Sequence, residues 1–499
     1  MASTSFHANF VIVGGGISGV TCCQELSRIA GDSKIALVAG CGLLKGASNV
    51  VKLSRHLNMF EIVEQPLDSL NSSNTLVLSS KAKDLDVEGK KINLSDGSLL
   101  SFDKLCICTG ARPKVLSSHP RVLSLRDTES AKYLQSRVKR ARRVMVAGNG
   151  GIAMELVHEI RDCEVVWAVR DGHIGNAFFD EEAGRWMFPT LADRLVDELS
   201  SLNHLPLPQS VEDEASAARA ESGVRERGSS LGPQWQTGAF GVDYRVQEPR
   251  IKAGLGTLKG SLSEASPVFV KFGCEVVSVE GNEQDQHGWP LMVSLSSGEI
   301  VGCDYLISAI GVVPNSELVK NSGVIALDAN DAIVVGSDMA SSVKHVFAAG
   351  DVCSVQLPPD SQDAGGGSSW FQMRLWSQAQ QQGLWAAQCM LGNADPLRSP
   401  FDLFAHATYF FGYKVVLLGR YNGQALNHDS PSFKMLKREE AGKEFIRVIL
   451  YEGKIEGAVL LGETDLEETF ENLILNRLDV SFLGDRLLDP SLDLEDFFD

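Results

Sequence analysis

The residues with the clearest chemical signature lie near the amino terminus. After a short apolar run, Gly14, Gly16 and Gly19 follow at the G-x-G-x-x-G spacing. Glycines at this spacing allow a tight turn after a strand and let the next helix bring its N-terminus close to a dinucleotide pyrophosphate. Cys22 and Cys23 follow three residues later, so the same segment also raises the question of thiol redox chemistry.

The glycine pattern occurs a second time, in the segment VMVAGNGGIAMEL. Here Gly148, Gly150 and Ala153 take the related G-x-G-x-x-A form. A single pattern of this kind is weak evidence for a ligand site, because a turn that binds nothing can also carry it. The second copy makes two nucleotide-binding turns the favoured interpretation.

A longer pair of segments repeats in the same order. Residues 96–113 align without a gap with residues 297–314, so that Gly110 matches Gly311. Each glycine pattern is thus followed by a matching hairpin, strand and Gly-x-x-Pro turn, which predicts two related Rossmann-like domains. The second copy is longer, and its composition places the extra residues in a polar surface insertion at about 201–267.

Two further segments complete the predicted α/β architecture. An apolar strand ends in Gly350-Asp351, and a helical pattern follows over residues 370–391. Its predicted apolar or small face consists of Leu375, Ala379, Leu384, Ala387 and Leu391. From about residue 400 the pattern changes to strands, a hairpin and a helix, which predicts a C-terminal α+β domain.

The order of these motifs resembles that of the FAD-dependent pyridine nucleotide-disulfide oxidoreductases. The strings that carry the resemblance are GGGISG, CICTGARP, GNGGIAMEL, SAIGVVPN and FAAGD. The resemblance implies that the first domain binds FAD, that the second binds NAD(P)H, and that hydride passes from NAD(P)H to flavin N5. It implies an FAD-binding domain over 1–117 and 332–399, an NAD(P)H-binding domain over 118–331, an α+β domain over 400–485 and an acidic tail over 486–499.

The resemblance also assigns candidate binding residues. The FAD set is Gly14, Gly16, Gly19, Thr109, Gly110 and Asp351, and the NAD(P)H set is Gly148, Gly150, Ala153, Glu155, Arg170 and Gly311. The acid that often ends the second strand and binds a ribose is missing from both domains, where Ala39 and Val169 stand. Arg170 is either a partner for a 2′-phosphate or surface charge, so NADH and NADPH both stay open. Glu155 either faces the nicotinamide or caps or solvates its helix.

The redox-active cysteine pair of the family is missing from this sequence. Neither C-x4-C after the first glycine pattern nor C-x-x-C in the second domain is present. Cys106 and Cys108 alternate on a strand, and both pairs of neighbouring cysteines favour packing over a disulfide. Cys353, just past Asp351, is near the predicted flavin and is either a redox candidate or a packed core residue. We predict no disulfide reductase activity and no metal site.

A lysine is a candidate catalytic residue in place of the cysteine pair. In related flavoproteins without the cysteine pair, a lysine from this segment approaches flavin N5, and Lys45 or Lys52 matches that position. A solvated lysine is the alternative for each of them.

Composition limits the choice of partners. The net charge of −18 argues against broad binding to nucleic acid or anionic lipid. The basic cluster at 137–143 is a nuclear import signal, a phosphate patch or a solvated helix end. No apolar run is long enough to span a membrane, and only nine residues precede the first predicted strand. Ten cysteines without secretory context favour a reducing compartment, and we expect cytoplasm and nucleus.

Longer strings, such as RDTESAKYLQ and LLGETDLEETFENLIL, are similar to a narrower group within that family over nearly the whole chain. This likeness implies an association with the tRNA ligase complex of RNA splicing, whose metal site would be protected from oxidation. The acidic tail with Phe497 and Phe498 resembles a docking peptide, although a solubilising tail also fits. A binding protein gated by flavin and NAD(P)H, or an electron-transfer reductase for an iron–sulfur partner, are the alternative functions.

Overall fold

The computed structural model describes residues 5–160, 163–188, 267–281, 288–358, 369–492 and 494. The chain divides into two compact units. The first contains Met1–Arg112, Val312–Tyr409 and Tyr413–Asp499, and the second contains Pro113–Gly311 and Phe410–Gly412. The insertion expected at about 201–267 lies outside the described residues except for its last one, and the domain boundaries taken from the sequence stay a prediction.

The helices are α1 (Ile17–Ile29), α2 (Thr128–Val138), α3 (Gly151–Glu159), α4 (Glu181–Met187), α5 (Glu317–Lys320), α6 (Trp376–Leu391) and α7 (Glu467–Asn476). The strands of the first half are β1 (Ser5–Val13), β2 (Ile35–Ala39), β3 (Leu43–Lys52), β4 (Asn58–Pro66), β5 (Thr75–Ser79), β6 (Ala82–Asp86), β7 (Lys91–Leu94), β8 (Leu99–Ile107), β9 (Ala111–Pro113), β10 (Val122–Leu123), β11 (Arg143–Ala147) and β12 (Glu164–Val169). The remaining strands are β13 (Val268–Phe272), β14 (Val276–Gly281), β15 (Leu291–Leu295), β16 (Ile300–Cys303), β17 (Tyr305–Ser308), β18 (Val312–Pro314), β19 (Ile333–Val335), β20 (Val346–Ala348), β21 (Cys353–Val355), β22 (Ala405–Phe410), β23 (Tyr413–Gly419), β24 (Phe433–Glu440), β25 (Glu444–Tyr451) and β26 (Lys454–Gly462).

The first unit is built around a largely parallel sheet. Its strand order is β5-β2-β1-β8-β7-β6, and β20 also pairs with β8. Val13, at the end of β1, lies opposite Val38 on one side and Ile107 on the other. The carboxyl-terminal parts of these central strands are apolar and buried, as expected for a sheet covered on both faces. The carboxyl ends of three strands therefore meet beside the first glycine turn.

The second unit repeats this arrangement. Its parallel sheet has the order β10-β17-β11-β12-β13, beside an antiparallel sheet β14-β15-β16. Ala147, at the end of β11, lies opposite Ala168 and Ser308. The two sheets thus place the two glycine patterns at equivalent points, and the predicted Rossmann-like repeat is confirmed.

The C-terminal region forms an antiparallel sheet with the order β22-β23-β26-β25-β24. Glu452 and Gly453 join β25 to β26 with φ values of 52° and 76°, which is the backbone of a two-residue type I′ hairpin turn. Helix α7 packs on this sheet through Phe470, Leu473 and Ile474. The predicted α+β fold of this region is confirmed.

Helix α6 departs from the sequence prediction at its start and in its buried face. It begins at Trp376 because the preceding segment is extended, with the Phe371 ring stacked 4.2 Å from that of Phe404. The predicted apolar face is wrong at Leu384, which is 40% exposed. Gln378 and Gln382 are buried instead. Gln378 donates to the carbonyl oxygen of Phe371, and Gln382 accepts from the N–H of Gly350.

The basic cluster at 137–143 divides between surface and core. Lys139 and Arg140 are exposed, whereas Arg142 forms a 2.9 Å ion pair with Asp304. Arg143 is 4% exposed and donates from Nε to Glu164 Oε2 over 2.7 Å. The last two arginines therefore stabilise the second sheet, and a surface-patch interpretation does not fit them. Among the described residues, no helix is long and apolar enough to cross a membrane.

We expect Arg143→Met to lower the free energy of unfolding of the second unit by about 3 kcal/mol, because it leaves the carboxylate of Glu164 buried without its partner. Replacing both residues by apolar side chains restores most of the loss. Denaturant titration followed by circular dichroism measures the effect. The exposed Arg140→Met is the matched control, and an equal loss in that variant would contradict the prediction.

Candidate dinucleotide sites

The first glycine turn leaves no room for a side chain. Gly14 has a φ of 127°, and a Cβ built on it would lie 2.0 Å from the carbonyl oxygen of Cys108. A Cβ at Gly19 would lie 1.9 Å from the carbonyl oxygen of Gly14. Helix α1 starts directly after Gly16, which has no side chain to cap it. Its first N–H groups therefore face open space beside the turn, as anion binding requires.

The second glycine turn has the same geometry. Gly148 has a φ of 135°, and a Cβ on it would lie 2.2 Å from the carbonyl oxygen of Ala309. Helix α3 begins after Gly150, again without a side-chain cap, and Ala153 is fully buried against the sheet. The close approach of strand and turn at Cys108 in the first unit is thus repeated at Ala309 in the second.

Asp351 lies beside the start of α1. Ser18 of that helix donates from Oγ to the carbonyl oxygen of Ala349 over 3.2 Å. The N–H of Gly350 donates to Gln382 Oε1 over 2.8 Å, which fixes the Gly-Asp turn to α6. Both contacts hold the backbone that precedes Asp351, the first at the start of α1 and the second at α6.

The Asp351 carboxylate receives no hydrogen bond from any residue that the structure describes. Arg374 bonds to the backbone of Asp351 and not to its carboxylate, by donating from Nε to the Asp351 carbonyl oxygen over 3.1 Å. Burial raises the pKa of Asp351 to about 6, and the positive charge of Arg374 opposes this rise. A half-buried acceptor to which no described residue donates is a group that the hydroxyls of a polyol ligand would satisfy.

Thr109 and Gly110 are hydrogen-bonded to Asn315, just after the chain returns to the first unit at Val312. The hydroxyl of Thr109 donates to the carbonyl oxygen of Asn315 over 2.6 Å. The N–H of Asn315 donates to the Gly110 carbonyl oxygen over 2.9 Å. The Thr109 hydroxyl is therefore engaged with the protein backbone at this point, and its predicted role toward FAD stays a prediction.

The structure separates the two candidate lysines. The N–H of Lys45 donates to the carbonyl oxygen of Gly15 over 2.9 Å, so this half-buried lysine lies at the glycine turn. Lys52 is exposed at the other end of β3, where it pairs with Asn58. Only Lys45 is brought to the candidate site, and its approach to flavin N5 stays a prediction.

An apolar wall, which sequence reasoning missed, stands at the starts of α1 and α6. It consists of Ile17, Phe60, Ile62, Trp376 and Ala379. Two helices and the hairpin β3–β4 supply these residues. No sequence period reveals such a wall, because its members lie up to about 360 positions apart.

His406 was also missed. Its Nδ1 lies 3.4 Å from the hydroxyl of Ser377, in the first turn of α6. Burial lowers the pKa of His406 to about 4, so the imidazole is neutral at physiological pH. A lone histidine in a strand gives no sequence signal that distinguishes it from an ordinary packed residue.

The second unit contains a cleft of about 460 Å³ at its glycine turn. Gly148, Gly150, Arg170 and Gly311 from the predicted NAD(P)H set line it. Ala153 packs behind the turn, and the half-buried Glu155 lies on α3 outside the cleft lining. The structure thus brings four of the six predicted residues to one cavity.

Asn149 orders one wall of this cleft and was missed by the sequence analysis. Its Nδ2 donates to Asp171 Oδ2 over 3.0 Å, and its Oδ1 accepts from the N–H of Gly175 over 2.6 Å. Arg170 is largely exposed, with its guanidinium 3.9 Å from Asp171 and 3.7 Å from Glu275. An exposed arginine between two carboxylates fits either nucleotide.

All ten cysteines lie in the part of the chain that the structure describes, and every one is a free thiol. Cys22 and Cys23 are both buried, and the sulfurs of Cys106 and Cys108 lie 3.5 Å apart without a bond. The hydrogen bond with Cys106, together with burial, raises the pKa of Cys108 well above its usual value.

Cys353 is equally inert. Burial raises its pKa, and its thiol donates to the carbonyl oxygen of Gly350 over 3.2 Å. Since the thiolate is the reactive form, these buried thiols act as small apolar side chains rather than as nucleophiles.

These two sites agree with the comparisons. A sequence model of the family described as pyridine nucleotide-disulphide oxidoreductase matches residues 8–199 and 257–383. The chain belongs to this family, whose cofactors are FAD and NAD(P)H. The donor-free Asp351 and the side-chain-free turn at Gly14 fit such a dinucleotide.

The most similar relatives include proteins called pyridine nucleotide-disulfide oxidoreductase domain-containing protein 1. The mouse protein is 39% identical, over 98% of this chain and 98% of its own length. The zebrafish protein (Danio rerio) is 41% identical, over 99% of this chain and 98% of its own length. The Drosophila melanogaster protein is 34% identical, over 99% of this chain and all of its own.

Solved structures share the fold. A ferredoxin reductase from Rhodopseudomonas palustris aligns with a TM-score of 0.67 at 17% identity, over 98% of this chain and 99% of its own. A water-forming NADH oxidase from Lactobacillus brevis aligns with a TM-score of 0.64 at 16% identity, over 98% of this chain and 95% of its own.

We expect FAD to bind more weakly as the pH falls through about 6. Hydroxyl donors favour the ionised form of Asp351, so protonation of this carboxyl with its raised pKa removes the competent state. The FAD dissociation constant should rise about tenfold between about pH 7 and about pH 5. Fluorescence titration with FAD measures it, and in Asp351→Asn binding is weaker and nearly flat over this range. An equally steep rise in that variant would assign the titration to another group.

Proposed function

We propose that this chain is an FAD-dependent NAD(P)H oxidoreductase that works without a redox-active cysteine pair. Bound FAD would supply a ring that accepts hydride from NAD(P)H at N5. The observation that carries the proposal is Asp351, a half-buried carboxylate to which no described residue donates, beside the start of α1 and a turn that excludes every side chain at Gly14. A structural turn of the same fold needs neither feature.

Each element of the first unit has a distinct task in this proposal. The first N–H groups of α1, after Gly16, bind the pyrophosphate, and Asp351 accepts from the ribityl hydroxyls. Helix α6 directs its N-terminus at the ring, where its dipole stabilises negative charge. The neutral His406 beside Ser377 adds no positive charge there, and the wall that contains Trp376 keeps water from the ring.

The second unit supplies the nicotinamide nucleotide in this proposal. Gly148 and Gly150 bind its pyrophosphate, and Gly311 closes the cleft on the opposite side. Arg170 contacts a 2′-phosphate when NADPH is bound and stays solvated when NADH is bound. The exposed guanidinium supports the use of both nucleotides.

Electrons leave the first unit without a thiol relay in this proposal, and oxygen or an external protein is the acceptor. The missing C-x4-C and C-x-x-C motifs support this, together with the raised thiol pKa values of Cys108 and Cys353. Lys45, at the glycine turn, is the polar side chain that we assign to the N5 side.

The test is anaerobic titration of the flavin-loaded protein with NADH and with NADPH. We expect the visible flavin band to bleach fully with one nicotinamide per flavin, because each hydride carries two electrons and no disulfide takes a second pair. The variant Cys108→Ser should reach the same end point. No bleaching with either nucleotide would reject the proposed activity, and an end point at two nicotinamides would reveal a thiol couple.

We further propose that the chain protects the tRNA ligase complex in cytoplasm and nucleus, with the acidic C-terminal tail as its docking segment. The likeness of the whole chain to the narrower group supports this. Asp493 and residues 495–499 lie outside the described residues. Leu494, which lies within the tail 486–499, is buried in the core of the C-terminal sheet, so this part of the tail is anchored to the fold.

Because Leu487 and Leu488 also belong to that core, truncation would damage the fold as well as the tail. The sharper test neutralises the tail charges in place, in the variant with Asp493, Glu495, Asp496 and Asp499 changed to their amides. We expect it to lose recovery of the ligase in pull-down assays with NAD(P)H present, with unchanged flavin content. The matched control changes Glu439 and Glu440 on β24 to Gln, and equal recovery with all three proteins would reject tail docking.

A further inference from the structure

One buried carboxylate of the first unit is not among the candidate binding residues. Glu471 of α7 is 1% exposed. It accepts from the hydroxyl of Ser54, and from the backbone N–H and Nδ1 of His56 over 2.8 and 3.1 Å. Burial alone would raise the pKa of Glu471, but the hydrogen bonds from His56 and Ser54 lower it, so this carboxylate is ionised.

The residues that Glu471 holds form the connection between β3 and β4. Leu57, in this connection, is fully buried in the core formed by α7 and the C-terminal sheet. Gln381 of α6 donates from Nε2 to the His56 carbonyl oxygen over 3.5 Å. The connection 53–57 is therefore held by α7 on one side and by α6 on the other.

The strand that follows carries this constraint to the candidate flavin site. Phe60 and Ile62 of β4 belong to the apolar wall with Ile17 and Trp376, at the starts of α1 and α6. At the opposite end of the hairpin, Lys45 is bonded to the Gly15 carbonyl oxygen. The hairpin thus runs from the Glu471 contact to the first glycine turn.

Burying the carboxylate of Glu471 costs free energy, because its charge loses hydration. Apolar side chains of similar volume are often as stabilising as a buried ion pair or more so, since they need no desolvation of charge. What apolar packing lacks is direction: three hydrogen bonds to one carboxylate fix the position of the connection, whereas methyl groups allow it to slide. This difference points to positioning as the task of Glu471.

We propose that Glu471 is a positioning residue of the flavin site, which acts through Ser54 and His56 to set β4 against the starts of α1 and α6. The inference rests on the proposed function, because it assigns the site whose geometry is set. Glu471 itself contacts none of the candidate binding residues. Its effect is expected on cofactor affinity and on the order of β4.

The experiment compares Glu471→Gln with the control Glu468→Gln, which changes an exposed glutamate of the same helix. Two quantities are measured: the FAD dissociation constant, and hydrogen–deuterium exchange of the flavin-free protein. We expect Glu471→Gln to raise the dissociation constant about tenfold and to speed exchange over residues 53–66. NADPH affinity of the second unit should not change. If Glu471→Gln does not fold, Ser54→Ala removes one donor and should show the same pattern at smaller size.

Three results would overturn the inference: an unchanged FAD affinity in Glu471→Gln, an equal loss in Glu468→Gln, or a parallel loss of NADPH affinity that marks general destabilisation. Faster exchange with unchanged FAD affinity would make Glu471 a structural residue only. A wild-type protein that takes up no FAD would instead overturn the proposed function. The wild-type titration therefore separates the two failures.

Discussion

The carbonyl oxygen of Cys108 occupies the space that a side chain at position 14 would need. This close approach, 2.0 Å to a built Cβ, is possible only for glycine, and its counterpart at Gly148 meets Ala309 at 2.2 Å. Because the end of β8 lies so close to the turn, α1 begins at the sheet edge with its N–H groups directed outward. The backbone before Asp351 and the apolar wall both contact the start of the helix that follows this turn.

The sequence predicted the parts of the fold that repeat or that have a short period. Two glycine patterns and two matching hairpins were enough for the paired sheets, because the constraint at each turn is local. The start of α6 was misplaced because Phe371 stacks on Phe404, a residue outside the segment whose pattern was read as a helix. Leu384 was placed on the wrong face because the neighbour that decides burial, α1, is distant in sequence.

The residues of the candidate sites also divide into those that local motifs predict and those that distant contacts define. Gly14, Asp351, Gly148 and Arg170 could be found because each stands in a motif of fixed spacing. His406, Asn149 and Glu471 could not, since each takes its meaning from a partner elsewhere in the chain, such as Ser377 or His56. Their residue types are common, and no spacing distinguishes a buried carboxylate from a solvated one. Contacts between distant segments are what local patterns leave out.

The burial of Leu57 in the core of the C-terminal sheet has a consequence for how the chain folds during synthesis. The residues that bury it follow position 400 and include α7, so the chain must be synthesised at least to residue 476 of 499 before this leucine finds its place. Domains usually fold from the amino terminus as they emerge, but here an early hairpin must wait for a late sheet. Contacts of such long sequence separation slow folding and leave apolar surface exposed meanwhile. Until α7 is complete, the apolar side chain of Leu57 is without the core that buries it in the folded protein.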